Sequence, residues 1–175
     1  LVRPDRVASG QTLVVEGDRI VDIVSGPRLA GDRDVHHNCD GRFIVPGFVD
    51  VHVHGAAGID VLDGAGAVAA LATRLPQWGV TAFCPTSIAC DPPTLASLLQ
   101  SIAALRVEPP AGARVLPAHL ESNFINPEFR GAQPLGCLRT FRGPRATPDG
   151  SLVEAFTADD VMAIVDHHRA DVGIF

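Results

Sequence analysis

The sequence predicts an α/β fold in which a small β-module precedes strands that alternate with helices. Two β-branched runs at 13–24 flank the turn residues Gly17 and Asp18, a pattern typical of a hairpin. After Pro46, short apolar runs alternate with stretches rich in Ala and Leu that are long enough for helices. Such alternation implies parallel pairing with right-handed crossovers.

The elements after the first module follow from local signals. Pro93 and apolar residues at helical spacing predict one helix, and Thr157 followed by two aspartates predicts the cap of another. The polar stretch 25–40 separates the hairpin from these elements. The predicted order is a strand at 45–55, a helix at 63–78 that stops at Gly79, a strand at 80–86, a helix at 92–107, a strand at 114–121, a polar loop at 122–150, a helix from Thr157 to about Arg169, and a strand opening at Val172.

This order gives about three and a half strand–helix units. A closed eight-stranded barrel needs roughly 250 residues, so the 175 residues would hold only its first half, at 47–175, after the module at 1–46. A doubly wound sheet is the alternative, but no GxGxxG opens a helix here. The chain begins at Leu1 without a methionine and ends on a strand-like run, so we expect a fragment of a longer protein.

Composition narrows the class of partner. The net charge of −6 and the lack of a basic stripe argue against nucleic acid. No apolar stretch is long enough for a membrane span, and no signal peptide is present. The four cysteines show no CxxC spacing, so we expect reduced thiols, a cytoplasmic location and a core position for Cys84.

Two histidines give the clearest chemical signal. His52 and His54 stand two residues apart on the apolar strand at 45–55, so their side chains should share one face. Paired imidazoles suit zinc or iron, and the following Gly55 leaves open backbone beside them for a substrate. The alternative is a pair of ordinary core histidines with hydrogen-bond partners.

A carboxylate should join this pair. His119-Leu120-Glu121 ends the strand at 114–121, and the carboxyl ends of parallel barrel strands meet at one face. Two imidazoles and a carboxylate make a mixed nitrogen and oxygen site of the kind found in catalytic zinc centres. Taken by itself, Glu121 would read as a loop carboxylate at a strand end.

Several motifs together resemble the amidohydrolase superfamily, and within it the N-acetylglucosamine-6-phosphate deacetylases. The resemblance covers nearly the whole chain, including the hairpin. The PGFxDxHxHG strand is shared across the superfamily, whereas the HLE segment with the later RGA stretch is the deacetylase signal. The motifs are Val45 to Gly55, Gly79-Val80-Thr81 with Pro85-Thr86, His119-Leu120-Glu121-Ser122-Asn123-Phe124-Ile125-Asn126-Pro127, and Arg130-Gly131-Ala132-Gln133-Pro134.

The resemblance implies the first half of a metal-dependent hydrolase (β/α)8 barrel at 47–175 and part of a small β-sandwich at 1–46. Glu121 would be the main ligand of a divalent metal, with His52 and His54 able to hold a second ion, and zinc, iron and manganese all fit. Ala132 and Gln133 would contact an amino-sugar phosphate substrate. The catalytic aspartate and two further histidine ligands would lie beyond Phe175, and the full-length protein would be a homodimer.

Three positions depart from the deacetylase pattern, which has Gly and Pro after HLE and His at the end of the later stretch. Ser122, Asn123 and Gln133 stand there instead, so the preferred substrate is open. Asp60 follows the family pattern, although a loop cap explains it equally well. Solvent-exposed positions away from the site are expected for two histidine pairs and four loop arginines: His36, His37, His167, His168, Arg130, Arg139, Arg142 and Arg145.

Three functions are therefore in play. The first is deacetylation of N-acetylglucosamine 6-phosphate by a longer protein, with the 175 residues inactive by themselves. The second is another amidohydrolase activity, dihydroorotase-like or dipeptidase-like. The third is a non-catalytic half-barrel that binds a ligand or a partner subunit.

Overall fold

A computed structural model describes residues 1–28, 31–139 and 156–175. The chain divides into two compact units, Leu1–Pro46 and Gly47–Phe175. In the first unit, strands β1 (Gln11–Glu16) and β2 (Arg19–Ser25) pair antiparallel as the predicted hairpin. Gly17 in the two-residue turn has φ of 60°, a left-handed conformation that glycine adopts without steric cost.

The second unit is an α/β structure with a parallel sheet. Its strands are β3 (Phe48–Val53), β4 (Gly55–Ala56), β5 (Ile59–Asp60), β6 (Val80–Ser87), β7 (Arg114–Val115), β8 (Ala118–Leu120) and β9 (Val172–Ile174). Its helices are α1 (Ala67–Arg74), α2 (Pro92–Val107) and α3 (Ala158–His167). The strand order is β3-β6-β8-β9, all parallel, with β7 also paired to β6 and with β4 and β5 forming a separate short ladder.

The core of this unit lies where the helices cover the sheet. Strand β6 is central, and its last five residues are buried, as expected of a parallel strand covered on both faces. Phe83 from β6 and Leu71 from α1 have no exposed surface, and neither have Leu99 and Ile102 from α2. The α/β class and the parallel pairing predicted from the sequence are thus confirmed, while the barrel and the sandwich stay predictions.

Helix α2 has the predicted bounds because a capping residue and a proline define its start. The Asp91 side chain accepts a hydrogen bond from the Thr94 backbone N–H (2.8 Å), and Pro92 occupies the first helical turn, where its missing N–H costs nothing. Helix α3 begins after the predicted cap, because Thr157 and Asp160 form a reciprocal capping box. It ends at His167, two residues earlier than expected.

Helix α1 is shorter than the predicted helix at 63–78. Gly64 and Gly66 have φ of 99° and 93°, values outside the right-handed helix, so the helix starts only at Ala67. At the other end, Pro76 has no N–H to give to the Ala72 carbonyl oxygen, which accepts instead from Ala113 N–H at 2.8 Å. The chain continues as a tighter 3-10 turn, Leu75–Trp78, and stops at Gly79 as predicted.

The strand predicted at 114–121 is broken into β7 and β8. Pro117 lies in the gap, and a proline cannot donate a ladder hydrogen bond. The Leu116 N–H still donates to the Phe83 carbonyl oxygen at 2.9 Å, which keeps both pieces alongside β6. The loop predicted at 122–150 contains two 3-10 turns, Pro127–Phe129 and Leu135–Cys137, and its positions 140–150 lie outside the described residues.

Two further predictions concern the whole chain. All four cysteines are free thiols, and Cys84 is buried, as expected of a core residue. Among the described residues, no helix combines the length and the apolar character needed to cross a bilayer.

Candidate metal centre

His52 and His54 converge at the carboxyl end of β3. The strand alternation places Val53 between them in the core, with 5% of its surface exposed, and leaves both rings on the opposite face. Their Nε2 atoms are 3.0 Å apart, and the two rings meet edge to face. The pairing predicted from the two-residue spacing is therefore present.

Thr86 of β6 fixes the orientation of His54. Its carbonyl oxygen accepts a hydrogen bond from His54 Nδ1 at 3.0 Å, so the ring proton is on Nδ1 and Nε2 carries the lone pair. Its hydroxyl accepts from the Val53 N–H (2.9 Å) and donates to the Cys84 carbonyl oxygen (3.1 Å). The sequence marks Thr86 only as part of a motif, although a hydroxyl at the end of an apolar strand signals a buried polar contact.

Glu121 joins the pair from the end of β8. Its backbone N–H donates to the Ser87 carbonyl oxygen (3.1 Å), which continues the pairing of β8 with β6. Its Oε1 lies 3.2 Å from His52 Nε2 and 3.6 Å from His54 Nε2. The strand order thus brings Glu121 next to a histidine pair that lies far from it in sequence, as the argument from parallel strands predicted.

These three ligand atoms suit a divalent metal. Zinc bonds to nitrogen and oxygen are about 2.0–2.1 Å long, and a tetrahedral site then places its ligand atoms about 3.3 Å apart. The observed separations of 3.0, 3.2 and 3.6 Å bracket this value. With side chains 44%, 35% and 27% exposed for His52, His54 and Glu121, the cluster is open to solvent on one side, where a substrate can approach.

His119 packs against His52, the second histidine of the pair. Its Nδ1 is 2.9 Å from the Val51 carbonyl oxygen, which can only accept, so the proton again lies on Nδ1. Its ring packs edge to face against the His52 ring, with centroids 4.9 Å apart. A cleft of about 430 Å³ adjoins His52 and His54 and is lined in part by Gly55.

Gly55 allows the chain to turn directly after His54. A Cβ at this position would lie 2.0 Å from the Ile59 carbonyl oxygen, a backbone atom that cannot move aside without breaking the β4–β5 ladder. Only glycine therefore fits at position 55, and its lack of a side chain leaves the backbone beside the histidine pair open, as expected. Asp60 caps this loop, since its carboxylate accepts from the Leu62 N–H at 2.8 Å.

The three departures from the deacetylase pattern lie next to Glu121. Gln133 is buried and donates a hydrogen bond from Nε2 to Glu121 Oε2, while Ala132 beside it is exposed. Asn123 is also buried, and its Nδ2 donates to the carbonyl oxygens of Cys90 and Cys137, both at 2.7 Å. Ser122 has φ of 66°, the left-handed region that favours glycine.

The expected exposure was wrong for two of the loop arginines. Arg130 is half-buried and donates to the Gln133 carbonyl oxygen at 2.8 Å. Arg139 is 5% exposed, and it donates to the carbonyl oxygens of Gly136, Leu138 and Phe156 while its guanidinium stacks on the Phe156 ring. It is a structural residue of the core, because a buried guanidinium needs this many acceptors. Arg142 and Arg145 lie outside the described residues.

Asp50 of β3 lies beside the cluster and accepts a hydrogen bond from the His52 N–H at 3.0 Å. Within 1–28, 31–139 and 156–175, the group His52, His54 and Glu121 is the one that can hold a metal. His36 and His37 are exposed in the first unit, and His167 is exposed at the end of α3, as predicted. His168 follows the helix and is half-buried, because its ring packs edge to face against the His167 ring. Burial raises the pKa of the Cys90 thiol to about 12, with the neighbouring Asp91 charge adding to the rise.

Comparison with known proteins gives these observations a family context. The mouse N-acetylglucosamine-6-phosphate deacetylase is 32% identical over 202 aligned residues, which cover 95% of this chain. The resemblance carried by the motifs is confirmed. This chain is similar to the N-acetylglucosamine-6-phosphate deacetylases. No protein-family model matches it.

The chain is also similar to a second curated deacetylase and to a deacetylase of known structure. An N-acetylgalactosamine-6-phosphate deacetylase of Escherichia coli O157:H7 is 35% identical over 96 residues, covering 54% of this chain and 26% of that protein. The crystal structure of the N-acetylglucosamine-6-phosphate deacetylase from Pasteurella multocida superposes with a TM-score of 0.70 at 18% identity, covering 96% of this chain and 40% of that one, which shows the fold. The chain spans about half the length of the mouse deacetylase, 48%.

Proposed function

We propose that this chain is part of a metal-dependent deacetylase that hydrolyses N-acetylglucosamine 6-phosphate to glucosamine 6-phosphate and acetate. The observation that carries the proposal is the convergence of His52, His54 and Glu121 at one sheet edge, in a chain that aligns over 95% of its length with a deacetylase. The reaction breaks the amide C–N bond, and water supplies the hydroxyl of the acetate and a proton for the amine.

His52, His54 and Glu121 are the proposed ligands of one or two divalent ions, for which zinc, iron and manganese are all suitable. A bound ion would polarise the acetamide carbonyl and make water a better nucleophile. The His54 ring offers its Nε2 lone pair because its Nδ1 proton is held by the Thr86 carbonyl oxygen, and the His52 ring is packed edge to face against His119. Glu121 contributes the negative charge of the cluster.

The acid–base group is proposed to lie outside these 175 residues. Protonation of the leaving amine needs a group that gives up a proton near neutral pH, and the resemblance assigns this role to an aspartate. The 175-residue chain is therefore expected to release no acetate by itself. Ala132 and Gln133 are proposed to form the substrate side of the site, because their loop contacts Glu121.

The finer architecture belongs to the same proposal. Strands β3, β6, β8 and β9 would be the first four strands of a (β/α)8 barrel, and the hairpin of the first unit would be part of a small β-sandwich. The full-length enzyme is proposed to be a homodimer. A cytoplasmic location is proposed because a phosphorylated sugar is charged and does not cross an apolar bilayer unaided.

The test is acetate release from N-acetylglucosamine 6-phosphate by the protein expressed from its complete reading frame. Chelation of metal and the variant Glu121→Gln should each lower kcat/KM by about 100-fold or more, because both remove the metal site. Glu128→Gln is the matched control, since Glu128 is an exposed glutamate of the same loop. Acetate release that survives both treatments would contradict the proposal.

A second candidate substrate is the galactosamine isomer. The three departures next to Glu121 and the Escherichia coli relative favour including N-acetylgalactosamine 6-phosphate in the assay. A cyclic amide and a dipeptide complete the panel. Hydrolysis of either in place of the sugar phosphates would favour a dihydroorotase-like or dipeptidase-like enzyme, and no hydrolysis at all would favour a binding module.

A further inference from the structure

Gln133 makes contacts that set it apart from an ordinary loop residue. Only 6% of it is exposed, and its side-chain oxygen accepts a hydrogen bond from the Ala89 N–H at 2.6 Å. A backbone N–H can only donate, so the oxygen of the carboxamide must face Ala89 and the nitrogen must face Glu121. Both ends of the carboxamide are thereby assigned to partners within the chain.

The backbone around Gln133 is held as well. Its N–H donates to the Arg130 carbonyl oxygen (3.1 Å), and the Arg130 guanidinium donates to its carbonyl oxygen (2.8 Å). The Asn123 side chain ties Cys90, which follows Ala89, to Cys137. The loop is thus anchored to the end of β6 at two neighbouring residues.

This arrangement divides the two oxygens of Glu121 between different partners. Oε2 accepts from Gln133, whereas Oε1 faces the two histidine Nε2 atoms. We propose that Gln133 is a positioning residue that fixes the Glu121 carboxylate so that a single oxygen is presented to the metal. The inference rests on the metal site of the proposed function, and it gives Gln133 a role through Glu121 in addition to its proposed place on the substrate side of the site.

The chemistry of a carboxamide suits this role. Gln133 carries no charge, so it orients the carboxylate without neutralising it, and the full negative charge of Glu121 remains available to a cation. Groups that orient a metal ligand typically change metal affinity 10- to 100-fold when they are removed. A histidine, which the resemblance expects at this position, can become positively charged and would compete with the ion for the same carboxylate.

The experiment measures zinc affinity in the protein expressed from its complete reading frame, by competition with a chromophoric chelator. Gln133→Met keeps the length of the side chain but removes both hydrogen bonds, and we expect zinc Kd to rise 10- to 100-fold. Gln133→Glu, of nearly the same volume, removes the donor and should weaken zinc binding at least as much. Gln100→Met, on the exposed face of α2, is the control and should leave Kd within about 2-fold.

Two further readouts separate the alternatives. Urea unfolding of the metal-free variants reports a structural role, and KM for N-acetylglucosamine 6-phosphate at saturating zinc reports a substrate contact. An unchanged Kd with a raised KM would overturn the proposal in favour of substrate binding, and an unchanged Kd with lowered stability would overturn it in favour of a structural role. If the unaltered protein binds no zinc, both the proposed metal site and this inference are wrong. If the unaltered protein and the Gln133 variants bind zinc with equal Kd, the inference alone is wrong.

Discussion

At the scale of single residues, the candidate site depends on polar groups that are buried and fully paired. Thr86 has no exposed surface, and its hydroxyl and carbonyl hold β3 and the His54 ring at once. A buried donor left without an acceptor costs about 1–3 kcal/mol. The geometry of the cluster is therefore linked to the stability of the sheet beneath it.

Replacement of Thr86 tests this link. Thr86→Val keeps the shape but leaves the Val53 N–H without its acceptor, so the free energy of unfolding should fall by about 1–3 kcal/mol. Thr86→Ser retains the hydroxyl and should lose less, because only a methyl group is removed. Urea denaturation of both variants measures the difference. Equal stability of the valine variant and the unaltered protein would show that the hydroxyl has no such role.

Sequence reasoning reached some residues of the site and missed others for physical reasons. His52 and His54 were found because strand alternation is periodic, and Glu121 because parallel strands end on one side. The contact of Gln133 with Glu121 and the burial of Arg139 depend on the path of an irregular loop. No periodic pattern in the sequence reports such a path, so neither feature can be predicted from the sequence.

At the scale of elements, the sequence predicted best where a cap and a periodic face agree. Helix α2 has both, since Asp91 caps its start and its buried residues recur at helical spacing. Helix α1 lacks a side-chain cap, and the left-handed glycines before it move its start. The break between β7 and β8 follows from Pro117, which a reading of apolar runs overlooks.

The Asp91 cap should make α2 sensitive to acid. Hydrogen bonds from Thr94 lower the pKa of the Asp91 carboxyl below its usual value. Its contribution to stability is therefore present above the unfolded-state pKa of about 3.9 and is lost as the pH falls through the lower folded-state pKa. Asp91→Ala should lower the free energy of unfolding by about 1 kcal/mol at pH 7.

A second variant at Asp91 distinguishes the capping hydrogen bond from the negative charge of the carboxylate. Asp91→Asn keeps a good N-cap without a titrating group, so its stability should vary less with pH below 4 than that of the unaltered protein. Unfolding measured by circular dichroism between pH 2.5 and 7 gives both comparisons. A stability gap between Asp91→Ala and the unaltered protein that stays constant over this range would contradict the capping argument.

At the scale of the whole molecule, the second unit presents an apolar sheet edge. Within the part of the chain that the structure describes, β3 pairs with β6 on one side only. Its Phe48, Val49 and Val51 are exposed by 59%, 59% and 51%. Apolar edge strands of this kind pair readily with other strands.

We expect the isolated 175-residue chain to self-associate at micromolar concentration. The double variant Val49→Lys, Val51→Lys should reduce this association, because lysine on an edge strand opposes pairing. Val107→Lys, at the exposed end of α2, is the control for added charge. Sedimentation velocity distinguishes the species. If the unaltered chain remains monomeric at high concentration, this edge strand does not mediate self-association.

The position of the metal cluster also has a consequence for how the chain folds. Its ligands come from β3 and from the end of β8, with α1, β6 and α2 lying between them in sequence. Contacts between segments so far apart close a long loop and form late, because the loss of chain entropy on closure precedes the stabilisation that the contacts provide. We therefore expect the three ligands to come together only after β6 has taken its place between β3 and β8. Metal capture would then mark the end of folding for this unit, and an incompletely folded chain would offer the ion separate histidines and a distant carboxylate.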